Sequence, residues 1–145
     1  MRDRWATIAF VLASLVLVAA WPGWRLAETP AAYAEAPEAF AARVEAFAAG
    51  QPVVRPSPGD VPLLARRFEF HPALELKVGQ TYRLHLSSMD GVHALAVGRA
   101  EMMLMPGEVR VLEITPERTG PLEARCNEYC GLGHNRMRGQ IVVVE

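Results

Sequence analysis

The chain has 145 residues, room for one domain and a further segment. A formal net charge of -1 at pH 7 excludes a basic nucleic-acid-binding surface, and two cysteines are too few for a disulfide framework. Hydrophobic residues reach 51% and much of that excess is N-terminal alanine, so composition alone assigns no function.

Arg2 and Arg4 precede an uncharged run from Trp5 to Trp24, apolar through Trp21 and then broken by Pro22-Gly23. As a helix, Trp5 to Trp21 would rise roughly 25 Å, enough to span a bilayer core. Trp5 at one end, with Trp21 and Trp24 at the other, suits interfacial anchoring, and Arg2 and Arg4 favour a cytoplasmic N-terminus. Residues 1–26 are therefore expected to be a single-pass transmembrane anchor in the plasma (inner) membrane, with everything after it extracytoplasmic. The alternative is a cleaved signal peptide, with small-residue sites at Val18-Ala19-Ala20 or Ala32-Tyr33-Ala34. The apolar run is longer than an ordinary signal h-region, which favours the anchor. Both readings export the domain to an oxidising compartment.

Residues 27–60 are rich in Ala, Pro and Glu and read as a tether. Within them PEAFAARVEAFAAG predicts a helix over about 37–49, with Pro37 at its first position and Gly50 as its stop. Phe40, Val44 and Phe47 form one stripe, to be packed on the chain's own domain or at a membrane surface, or docked on a partner subunit. Pro52, Pro56, Pro58 and Gly59 mark a boundary before residue 61.

From Val61 to Glu145 the pattern changes to short alternating runs between turn residues, which predicts a mainly β fold, a small Greek-key sandwich or barrel. ARRFEF leads to a turn expected at His71-Pro72, TYRLHLS places Tyr82, Leu84 and Leu86 on one face, and PLEARC places Leu122, Ala124 and Cys126 on one side. Two connections at strand ends carry the chemistry: Asp90 to His93, and Cys126 to Met137.

The second connection, CNEYCGLGHNRM, holds both cysteines, a histidine and a methionine, with Gly131 and Gly133 to fold the backbone tightly. A disulfide between Cys126 and Cys130 is the bland alternative, but His134 and Met137 argue for a metal. Thiolate, thioether and imidazole together favour copper, whereas zinc has little use for a methionine. A mononuclear site needs one cysteine, so the second thiol suggests two metals bridged by two sulfurs. A further ligand must come from outside the loop. His85 alternates with Leu84 and Leu86 on an outer face, His71 precedes Pro72 in the expected turn, and His93 follows the polar loop SSMDGV, which makes it the choice.

The pattern C-x-E-x-C-G-x-x-H-x-x-M, read as Cys126, Glu128, Cys130, Gly131, His134 and Met137, resembles the copper-A domain of cytochrome c oxidase subunit II. FEFHPALELKVG, SSMDGVH, MPGE before a strand and the closing GQIVVV are also similar, so the resemblance spans about residues 65–145. A lone N-terminal anchor further resembles the single-helix, B-type branch. The resemblance implies a cupredoxin-like barrel holding a binuclear copper centre. Cys126 and Cys130 would bridge both ions, His93 and His134 would each bind one, and Met137 and the Glu128 carbonyl would be weak ligands. It implies electron transfer from cytochrome c to a haem-copper subunit I in a membrane complex that reduces oxygen to water. The chain would be the electron-accepting subunit and not catalytic alone. The alternatives are the same role in a nitric oxide reductase, or a copper-binding or delivery protein without turnover.

The chain departs from the family at Ala94-Leu95, where glycine and an aromatic are usual, and it has no tryptophan beyond Trp24. Phe68, Phe70 and Tyr129 are the aromatics available in its place. The cluster Met102, Met103 and Met105 is not used by the resemblance; adaptable packing is its commoner role and Cu(I) binding the alternative.

Overall fold

Residues 2–20 and 31–145 are described in the computed structural model. Helix α1 (Arg2–Ala19) carries Arg2, Asp3 and Arg4 in its first turn, and no helix among the described residues is long and apolar enough to cross a membrane. Trp21, Pro22-Gly23, Trp24 and Arg25, where the expected anchor ends, lie outside the described residues, as do residues 27–30 of the expected tether.

The remainder is built on strands β1 (Ala32–Ala34), β2 (Val53–Val54), β3 (Gly59–Arg66), β4 (Glu69–Lys77), β5 (Tyr82–Ser88), β6 (His93–Val97), β7 (Ala100–Leu104), β8 (Glu108–Ile114), β9 (Gly120–Cys126) and β10 (Arg138–Val144). Among the described residues they form one curled sheet in the order β1-β8-β5-β3-β4-β10-β9-β6-β7, with β2 added to β4. The fold is mainly β and cupredoxin-like. Most neighbours are antiparallel, but β3 lies parallel to β5, and β10 and β2 lie parallel to β4. The core fills the concave side with Val61, Leu63, Leu74, Leu76, Tyr82, Leu84, Leu86, Leu95 and Ile141, alternate residues of their strands.

Strand β3 explains what happens to the segment before it. Val61 to Ala65 are all buried, the mark of a strand covered on both faces. Val61, Leu63 and Ala65 face the main core, while Leu64 joins Phe40, Val44 and Val109 in a second cluster. Phe40 and Val44 belong to helix α2 (Pro37–Ala48). The described part of the expected tether is therefore built into the folded body. β1 pairs with β8, α2 closes the outer face of β3, β2 pairs with β4, and Arg55 forms a two-point ion pair with Glu75. The boundary expected at residue 61 falls inside β3.

The turn expected at His71-Pro72 also lies elsewhere. Both residues are inside β4, and the chain reverses at Arg67-Phe68. β4 pairs with β3 only as far as His71 and takes up β2 at Ala73. On its other side the register with β10 slips between Gly139 and Ile141, opposite Phe70 and Leu74. Pro72, which has no N–H to donate, sits in this irregularity, where a strand tolerates proline.

Candidate metal centre

β3, β5, β7 and β9 all end at one pole of the barrel, so the turn at Arg67-Phe68, the loop 89–92 and the loop 127–137 meet there. His93 begins β6 and is fully buried. Cys126 ends β9 opposite Leu95 of β6, and its N–H donates to the Met137 carbonyl at 3.1 Å, which closes the loop at its base. Asn127 N–H donates to the Ala94 carbonyl at 2.9 Å and fixes the loop to His93's own strand. Gly131 takes φ +130°, a conformation that favours glycine, and a 3-10 turn at His134–Arg136 returns the chain to β10.

The sulfurs of Cys126 and Cys130 lie 3.9 Å apart and both cysteines are free. That distance is far beyond a disulfide bond of about 2.05 Å, yet two thiolates so placed can both reach one metal at the ~2.3 Å typical of a thiolate bond. His93 Nδ1 lies 3.8 Å from the Cys126 sulfur, and His134 Nδ1 lies 3.8 Å from the Cys130 sulfur. The Glu128 carbonyl is 3.1 Å from the Cys126 sulfur, and Met137 Sδ is 3.6 Å from that of Cys130. His93, Cys126 and Cys130 present their donor atoms within 4.8 Å of one another, as a metal requires. The structure thus brings all six expected residues together, in two flanks that share a pair of sulfurs. A set of two thiols, two imidazoles, a thioether and a carbonyl fits copper better than a hard cation.

Burial, and then the neighbouring Cys126, push the Cys130 thiol up to about 11. Two sulfurs side by side in a water-poor site resist carrying two negative charges unless a cation lies between them. The remaining histidines stand apart. His85 bridges Tyr33 Oη and Asp60, at 2.9 Å each, on the outer face of the sheet. His71 lies 3.5 Å from Glu45 of α2.

Of three supporting residues, the sequence assigns no role to Asp90 and Arg67, and to Phe68 only that of an available surface aromatic. Asp90 Oδ1 lies 3.0 Å from His93 Nε2, and its other oxygen accepts the Arg67 N–H at 2.9 Å. A carboxylate only accepts, so Nε2 carries the proton and the Nδ1 lone pair faces Cys126. Despite desolvation, the Arg67 N–H and His93 hold the Asp90 carboxyl below its ordinary range. An Asp three residues before a candidate ligand histidine is the signal that would have found it. Asp90→Asn is expected to lower metal affinity by roughly 10–100-fold, measured by competition with a chelator, while the fold is retained. Unchanged affinity would show that the carboxylate does not support His93.

Arg67 Nε donates to the Cys130 carbonyl at 3.1 Å. The Phe68 ring covers the loop, and a Cβ at Gly133 would land on it. Gly133 has an ordinary φ of -99°, so space and not backbone demands glycine. Gly133→Ala is expected to cost about 1–3 kcal/mol by overpacking. Adding Phe68→Ala should recover most of it in a double-mutant cycle followed by denaturant unfolding, and full additivity would rule out the clash.

No family model matches the chain. It is 36% identical over 100 residues to cytochrome c oxidase subunit 2 of Thermus thermophilus, covering 66% of this chain and 74% of the relative. Against a second subunit 2 from that species the identity is again 36%, over 60% of the relative. Among solved structures, a chain of a heme-copper terminal oxidase dimer superposes with a TM-score of 0.59 at 24% identity, over 99% of both chains. A His143Met rusticyanin superposes with a TM-score of 0.58 at 16% identity, over 79% of this chain and 99% of that one, a likeness of fold alone. The length and identity of the first match, on a chain whose thiols and imidazoles gather at one pole, place this protein in the cytochrome c oxidase subunit 2 family.

Proposed function

We propose that the chain is the electron-accepting subunit of a haem-copper terminal oxidase. In this reading it holds two copper ions with Cys126 and Cys130 as shared ligands, His93 and His134 one on each flank, and Met137 and the Glu128 carbonyl as weak ligands. When bound, the copper pair supplies a one-electron relay. The observation that carries the reading is the pair of free sulfurs 3.9 Å apart with an imidazole beside each. The chain's part is to keep these donors still. His93 is held through Asp90, Cys130 through Arg67, and the loop base through the bond from Cys126 to Met137. Burial of both cysteines keeps water from the sulfurs.

Leu132, 96% exposed, and Tyr129, 69% exposed with its ring 5.9 Å from that of His134, provide an apolar surface directly over the loop. Cytochrome c or a similar donor would meet the protein there, and the electron would leave for the haem-copper subunit that reduces oxygen to water. The uncharged sequence from Trp5 to Trp24 would anchor the chain in the plasma membrane as a single span, with Arg2 and Arg4 cytoplasmic and the barrel outside.

Full-length protein loaded with copper should be purple and show a seven-line EPR pattern from one electron shared by two coppers. A four-line spectrum from one copper would overturn the binuclear assignment. The membrane subunit that co-purifies should consume oxygen when the chain is reduced. Reduction of nitric oxide but not oxygen would place the chain in a nitric oxide reductase, and the absence of any redox partner would leave a copper-binding or delivery protein.

A further inference from the structure

We propose that Met89, Met103 and Met105 form a Cu(I) capture site at the rim of the metal pole, from which the ion passes inward to the two cysteines; this rests on the copper reading above. Three donors of the inner site are enclosed, with His93 at 0%, Cys126 at 6% and Cys130 at 8% exposure, while His134 is half-buried. An arriving ion therefore meets other groups before it reaches the two sulfurs. Met102 is 5% exposed, as a methionine used for packing should be, and Met137, one of the inner donors, is 1% exposed. Met89, Met103 and Met105 are 37%, 42% and 42% exposed.

These three thioethers are confined to the metal pole. Met103 pairs with Ala94 and the adjacent Leu104 pairs with His93, so β7 ends beside a metal donor. Met103 and Met105 lie two residues apart on the outer face of that run, roughly 7 Å along an extended chain, with three rotatable bonds in each arm. The Met105 carbonyl lies 3.5 Å from Ser87 Oγ, which puts the turn after β7 against the end of β5. Two residues beyond Ser87, Met89 opens the loop that contributes Gly91, Val92 and His93 to a cavity of about 290 Å³, also lined by Cys130. That cavity is lined by none of the three methionines themselves, but it reaches the inner donors His93 and Cys130 from the loop that Met89 opens.

The chemistry suits this order. A thioether is a soft, neutral donor that carries no proton, so it takes Cu(I) in preference to hard or divalent ions and does so at any pH. Transfer inward is ligand exchange. Copper–thioether bonds break, copper–sulfur bonds to Cys126 and Cys130 form, each thiol releases its proton to water, and copper remains Cu(I) throughout.

The test uses the full chain, with methionine methyl groups labelled with carbon-13, titrated anaerobically with Cu(I) and separately with redox-silent Ag(I). Methyl resonances of Met89, Met103 and Met105 should shift at the first additions, with Met102 unmoved. No shift at those three overturns the proposal. In a second arm the triple variant Met89→Leu, Met103→Leu, Met105→Leu is loaded with limiting Cu(I), then oxidised by one electron with ferricyanide. The purple colour should develop on the order of 10-fold more slowly and end with the same spectrum, as expected when a local capture site is lost. Equal loading rates would also overturn it. Failure of the unmodified chain to turn purple at all would instead defeat the copper reading, and the methyl shifts distinguish the two.

Discussion

Replacing Cys130 with serine is expected to turn a seven-line EPR spectrum into a four-line one. The sulfur of Cys130 is the hub of the site, 3.9 Å from that of Cys126, 3.8 Å from His134 Nδ1 and 3.6 Å from Met137 Sδ. Removing it strips His134 and Met137 of the sulfur they face and leaves His93, Cys126 and the Glu128 carbonyl as a one-metal remnant. Copper stoichiometry should fall from two to one, and affinity should fall by more than the roughly 10–100-fold typical of losing a supporting partner. Circular dichroism should show the sheet unchanged, because Cys130 lies in a loop and not in the ladder. Survival of the seven-line pattern would mean that Cys130 is not a shared ligand.

The second large effect is on stability. Phe40→Ala should cost about 3–5 kcal/mol, as truncation of a fully buried aromatic does when the cavity cannot collapse. Phe40 is at 0% exposure in the cluster it forms with Val44, Leu64 and Val109. The guanidinium of Arg43 also lies 4.8 Å from its ring centre. At roughly 2–4 °C per kcal/mol for a chain of this size, the melting midpoint should drop by about 6–20 °C. A calorimetric scan that shows less than about 1 kcal/mol would mean that α2 docks loosely and leaves the cooperative unit before the barrel melts.

The metal loop was legible because its donors sit within one stretch of sequence and their types are chemically restrictive. The placement of His93 beside the thiols was legible because a polar loop before an apolar strand sits at the end of a sandwich, where loops meet. The alternation in TYRLHLS and PLEARC gave the correct buried faces, with Tyr82, Leu84, Leu86, Ala124 and Cys126 inward. What escaped was tertiary. An Ala/Pro-rich stretch looks like a tether until Leu64, on a strand that comes later in the chain, is found to need a cover. His71-Pro72 has the composition of a turn, but two different partners hold β4 on either side of the proline. Phe68 and Arg67 act on residues more than sixty positions away, which no local pattern encodes. Asp90 was in plain view within SSMDGVH, but its use depends on the rotamer of His93, and so on packing.

Strand β10 follows the metal loop in the chain and lies between β4 and β9. As the chain is made, the two thiols emerge before the strand that pairs with β9 and closes their loop. Pairings such as Val142 with Glu75 must then be found across more than sixty intervening residues, a slow, non-local step. The base of the metal loop, where the Cys126 N–H meets the Met137 carbonyl, is therefore closed only once this long-range pairing has been made, and the two thiols owe their fixed separation to the last strand of the sheet.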